Sequence, residues 1–92
     1  MSRLHAILAD LTGRAQPGMP AQATRLPSGL RVAVRCLPGG ERQISLARTI
    51  TQLPSRKEAE VIRDHAGWPL ASIEAGQARN GLPCLLVTEA RG

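Results

Sequence analysis

The sequence predicts an α+β protein: a small antiparallel sheet of three or four strands, in the order β-β-α-β-β, covered by one main helix. Three observations carry that expectation. Residues 30–37 and 42–50 alternate apolar and polar side chains around Pro38-Gly39-Gly40. Residues 55–66 repeat apolar side chains at helical spacing between a capping serine and a glycine. Residues 84–88 are apolar on both faces, as an internal strand is.

Size and composition frame these elements. At 92 residues the chain forms at most one small domain. Hydrophobic residues make up 42%, but Phe and Tyr are absent and Trp68 is the sole aromatic. The core is therefore expected to consist of Leu, Ile, Val and Ala with Trp68 as one large anchor. A core of that kind is marginal, so an oligomer or partner complex is compatible with it.

Residues 3–12 are expected to form a short helix. Leu4, Ile7, Leu8 and Leu11 follow i, i+3, i+4, i+7 spacing, and Gly13 can end it. This apolar run is interrupted by His5 and Asp10 and is too short to span a membrane. Residues 13–29 contain Gly13, Pro17, Gly18, Pro20, Pro27, Ser28 and Gly29 and read as a loose linker. The organisation expected is thus a short helix, whose apolar stripe is expected to pack on a core, plus a flexible Pro/Gly-containing linker over 1–29, and a single α+β domain over 30–92. A disordered part of the linker would leave the helix tethered rather than integral to the sheet.

In the first hairpin, Leu30, Val32, Val34 and Cys36 face one way, and Arg31, Ala33, Arg35 and Leu37 the other. Pairing Val34 with Ile44 places Val32 beside Leu46, Arg35 beside Gln43, Ala33 beside Ser45 and Arg31 beside Ala47. One face is then apolar and the other small, polar and basic. Arg42 and Arg48 fall in the inward phase near the ends of the second strand.

Pro54 and Ser55 open the main helix, with Glu58 completing a capping-box pattern and Gly67 the stop. Residues 69–80 admit two readings. A second helix could start at Pro69, with Ser72, Gln77 and Arg79 as candidate contacts of a recognition helix. A strand from about Leu70 to Ala75 could instead turn at Arg79-Asn80-Gly81. The strand is preferred because four strands under one helix bury more. Pro83 fits only the beginning of the last strand.

Charge is unevenly distributed. Residues 1–54 hold seven Arg against Asp10 and Glu41 and supply the whole formal excess of +5. Lys57 is the sole lysine. Arginine's planar five-donor fork suits phosphate or carboxylate, although an Ala- and Gly-favouring composition bias also accounts for Arg usage. The candidate nucleic-acid or partner-binding residues are Arg31, Arg35, Arg42, Gln43, Ser45, Arg48 and Thr49. Arginines would contact backbone phosphate, and Gln43, Ser45 and Thr49 would add polar contacts. A two-stranded ribbon can enter the major groove. Without exposed aromatics, base stacking on single strands is disfavoured.

Enzymatic chemistry finds little support. His5, His65, Cys36 and Cys84 are scattered, with no metal-ligand spacing. Gly39-Gly40 lacks the Lys and following helix of a phosphate cradle. Cys36 and Cys84 read as thiols within apolar strand patterns rather than a disulfide or a metal-related pair. The expectation is a cytosolic, non-enzymatic protein with no cofactor. It binds nucleic acid or, alternatively, an acidic protein surface as an inhibitor or adaptor, and a homo-oligomer through a sheet edge or the Leu4 stripe is compatible with either.

Overall fold

A computed structural model describes residues 3–48, 53–77 and 81–90. Its elements are α1 (Arg3–Arg14), β1 (Gln22–Arg25), β2 (Arg31–Cys36), β3 (Arg42–Ala47), α2 (Arg56–Ala66), β4 (Ser72–Gln77) and β5 (Pro83–Thr88). All five strands form one antiparallel sheet in the order β1-β2-β3-β5-β4. None of the described helices is long and apolar enough to cross a membrane.

The β2–β3 register is the one the alternation demands. Val34 pairs with Ile44, Val32 with Leu46, Arg35 with Gln43 and Arg31 with Ala47. A slip of one residue would turn Val32 and Val34 out of the core, so the apolar pattern specifies the register strongly. Two rows cross the whole sheet on the inner face: Gln22–Val34–Ile44–Val87–Ile73 and Thr24–Val32–Leu46–Leu85–Ala75. Both helices cover this face. α1 packs on β1 and β2, α2 packs on β4 and β5, and the helices touch each other.

The α+β class with two helices is as expected, but the sheet has five strands rather than three or four. The additional strand, β1, lies in the stretch expected to be linker. Four residues of weak strand preference become a strand there because β2 offers an unpaired edge and a tight turn returns the chain to it. Leu26 N–H donates to Leu30 O at 2.8 Å and Gly29 N–H to Leu26 O at 2.9 Å, with Gly29 at φ +89°. That positive φ suits glycine in a three-residue hairpin loop.

The N-terminal helix packs on the core, as its apolar stripe leads one to expect, and is not merely tethered by the segment that follows it. Leu8 is fully buried and Leu11 nearly so, in the same core cluster as Val32, Val34, Ile44, Leu46, Ile62 and Val87. Leu4 and Ile7 pack against that cluster, so the stripe proposed as an oligomer contact faces the chain's own core. The helix runs one residue past Gly13 before it ends. Thr12 Oγ donates to Leu8 O at 2.8 Å and so satisfies its own buried hydroxyl.

Helix α2 keeps both expected ends. Ser55 Oγ accepts the Glu58 backbone N–H, and Gly67 adopts the left-handed conformation at φ 79°. Residues 72–77 form a strand, not the alternative second helix, and β5 begins at Pro83. Arg79 and Asn80, where a turn is expected, lie outside the described residues. Trp68 is buried as the anchor of the segment after α2.

Leu8→Ala tests whether α1 belongs to the core. Removing this fully buried side chain is expected to cost about 2–5 kcal/mol in urea unfolding. An unchanged midpoint would mean that α1 contributes nothing to folding.

Candidate functional site

The outer face of the sheet carries no helix. Its rows read Arg35–Gln43–Thr88–Ser72 and Ala23–Ala33–Ser45–Leu86–Glu74, with Arg25–Arg31–Ala47 and Cys84–Gly76 beyond them. Small side chains make a flat lane between Arg35 on one side and Arg25 with Arg31 on the other. Arg31 and Arg35 are four residues apart on β2, which sets them roughly 13 Å apart along the strand.

Arg35 is held upright by a polar chain across the sheet. Its Nε and Nη2 donate to Gln43 Oε1 at 3.0 and 2.8 Å, and Gln43 Nε2 donates to Thr88 Oγ at 3.0 Å. Gln43 is only 7% exposed and both ends of its amide are engaged. It therefore positions Arg35 and is not itself a free contact. Ser45 is half-buried in the lane, and Thr49 lies outside the described residues.

Arg42 and Arg48 are not on this face. The inward phase that the sequence assigns them carries both to the helix side, where each meets a carboxylate. Arg42 Nη2 and Nε donate to Glu89 at 2.8 and 2.9 Å, its Nη1 donates to Thr12 O at 3.2 Å, and its guanidinium lies 5.2 Å from the Trp68 ring centroid. Hydrogen bonding by Arg42 holds the Glu89 carboxyl below the ordinary carboxylate range, and the same contact raises the arginine. Arg48 donates to both oxygens of Glu58 at 3.2 and 2.7 Å and to Ser28 O at 3.4 Å, joining β3, α2 and the β1–β2 turn. These two arginines build the fold, and the structure does not bring them together with Arg31 and Arg35.

Ion pairing decides where the net charge appears. Arg14–Asp10, Arg42–Glu89, Arg48–Glu58, Arg56–Glu60 and Arg63–Asp64 are paired, none of them on the open face. Among the described residues, neither Arg25 nor Arg31 makes an ion pair or side-chain hydrogen bond; the carboxylates in phase with this face are Glu74 at the β4 edge and Glu41, which opposes Leu37 beyond the Arg35–Gln43 row. Arg25 joins the face only because the segment expected to be linker forms β1. The signal was present: Leu26-Pro27-Ser28-Gly29 repeats the Leu-Pro-X-Gly pattern of Leu37-Pro38-Gly39-Gly40.

A two-stranded ribbon is not what the face presents. β2 and β3 are flanked by β1 and β5, so the surface spans five strands, roughly 19 Å across. A B-form major groove is about 12 Å wide. A face of that breadth does not enter such a groove.

Both cysteines are free and belong to opposite faces: Cys36 shares the Arg42 row, and Cys84 the Gly76 row. Burial pushes the Cys84 thiol up, against the opposing charge of Arg35, which makes it a poor nucleophile. Among the described residues no three His, Cys, Asp or Glu side chains cluster as a metal site. No family model, curated protein or solved structure matches the chain.

Glu89→Gln separates the structural arginine from the surface ones. A carboxyl held below its ordinary value stabilises the fold above its unfolded pKa of about 4.3 and loses that contribution as pH falls through the lower native value. The wild type is expected to exceed the variant by about 1–2 kcal/mol at neutral pH in urea unfolding, with the gap closing at acidic pH below about 4. A gap independent of pH would show that the carboxylate charge does not hold Arg42.

Proposed function

We propose that this chain is a small non-enzymatic nucleic-acid-binding or regulatory protein whose open sheet face lies against a phosphate backbone. The observation that carries the reading is the set Arg25, Arg31 and Arg35. All three stand on the helix-free face; Arg25 and Arg31 have no carboxylate partner among the described residues, and the guanidinium of Arg35 is held by the Gln43 amide. Guanidinium groups so placed donate to phosphate oxygens without first breaking an ion pair. The Ala23–Ala33–Ser45 lane lets a backbone approach the sheet closely. The face carries no aromatic side chain, so affinity comes from phosphate contacts and sequence discrimination is weak.

A second reading is an inhibitor or adaptor that binds an acidic protein surface. It is supported by Leu86, half-buried on the same face and lying across Gly76, where a Cβ would come within 2.5 Å of its Cδ1. An apolar contact beside arginines is common at protein interfaces.

Anisotropy titrations with duplex DNA, duplex RNA and single strands of each across a salt series test the first reading. Log affinity is expected to fall linearly with log salt. Arg31→Gln with Arg35→Gln is expected to weaken binding by roughly tenfold per arginine. Absence of binding to all four probes at about 50 mM salt, or an unchanged double variant, overturns it.

A further inference from the structure

We infer that Arg25 and Arg31 together form one phosphate site, occupied by a single phosphodiester of the nucleic-acid backbone. This inference rests on the reading above and names the contact that dominates it.

The argument starts from the register. Arg25 and Arg31 are direct cross-strand partners on β1 and β2. The adjoining pair, Leu26 and Leu30, is hydrogen-bonded at 2.8 Å. Hydrogen-bonded and non-hydrogen-bonded pairs alternate along antiparallel strands, so Arg25 and Arg31 occupy the non-hydrogen-bonded kind, where Cα atoms are roughly 4.5 Å apart and side chains stand closest. The two arginine side chains thereby leave the sheet from neighbouring positions on the same face. Like charges directly opposite each other destabilise a sheet, and among the described residues no carboxylate relieves this pair. An anion between them would do so.

Space and rigidity agree with that role. An open depression of about 400 Å³ is lined by Ala23, Thr24, Arg25 and Arg31. Ala23 is the small side chain next to Arg25 on this face, which leaves room for an oxyanion to reach both forks. Arg48, clamped to Glu58 on the far side of the sheet, also donates to Ser28 O in the turn joining the two strands. The hairpin that carries the pair is thus anchored from behind. A tetrahedral phosphate between two planar forks accepts from both at once, whereas a planar carboxylate is matched by one fork alone.

The test uses the full chain with a duplex of about 20 base pairs and, separately, inorganic phosphate. One shared phosphate predicts that Arg25→Gln with Arg31→Gln lowers the magnitude of the salt slope by roughly 0.9, where two independent contacts would lower it by roughly 1.8. Without ligand at low salt, Arg25→Gln alone is expected to raise the thermal midpoint, and the gain should vanish at high salt. A slope change near 1.8, or an Arg25→Gln variant that binds as the wild type does, overturns the shared site while leaving nucleic-acid binding in place. A wild type that binds no duplex overturns the polymer reading instead. In that event, saturable binding of inorganic phosphate that is lost in the double variant supports the pair as a site for a free phosphate group.

Discussion

Val34, Ile44 and Val87 form one row across the three central strands, each fully buried, and the rest of the fold is arranged to keep that row dry. The chain has no Phe or Tyr to cover such a surface with a single side chain. Cover comes from many smaller contributions: Leu8 and Leu11 from α1, Ala59 and Ile62 from α2, and Trp68 from the segment after it. Each adds one to a few kcal/mol of burial, so neither helix is dispensable. Both therefore lie on the same side of the sheet, and the opposite face is left without a layer.

That one-sided packing also sorts the charges. Charged side chains on the helix side lie near other elements and find partners, as Arg42 does with Glu89 and Arg48 with Glu58. The acidic residues are concentrated there too. Arg25, Arg31 and Arg35 face away from the carboxylates of both helices and from Glu89. The open face is thus basic less because arginine is abundant there than because most of the described carboxylates pair on the helix side. The Arg35–Gln43–Thr88 chain adds a second effect. It fixes one guanidinium in place before any ligand arrives, which lowers the ordering cost of binding.

How much of this was legible can be argued element by element. Alternation specified the β2–β3 register because a slip would reverse both faces. The caps of α2 were legible because Ser55, Glu58 and Gly67 act through local hydrogen bonds and backbone geometry. The β4–β5 hairpin was favoured by Asn80-Gly81 ahead of an apolar run. Of the candidate residues, Arg31, Arg35, Gln43 and Ser45 lie on one face as period two requires. Gln43 proved to be a support for Arg35, since an amide flanked by a guanidinium and a hydroxyl bonds to both. The strand β1 was missed because Gln22–Arg25 has little alternation of its own, although the repeated Leu-Pro-X-Gly turn marked it.

By itself the sequence determined the α+β class, the central hairpin and its register, the main helix with its caps, and a basic first half. These follow from short-range periodicity and turn chemistry, which a linear reading captures. Tertiary structure alone decided that β5 lies between β3 and β4, that β1 pairs at the far edge, and that α1 covers β1 and β2. It also decided which arginines are paired: Arg42 meets a carboxylate 47 residues away, and Arg25 stands opposite Arg31 with none. The physical reason is common to all of these. Burial and ion pairing depend on which distant segments share a face, and that is settled only when the sheet assembles.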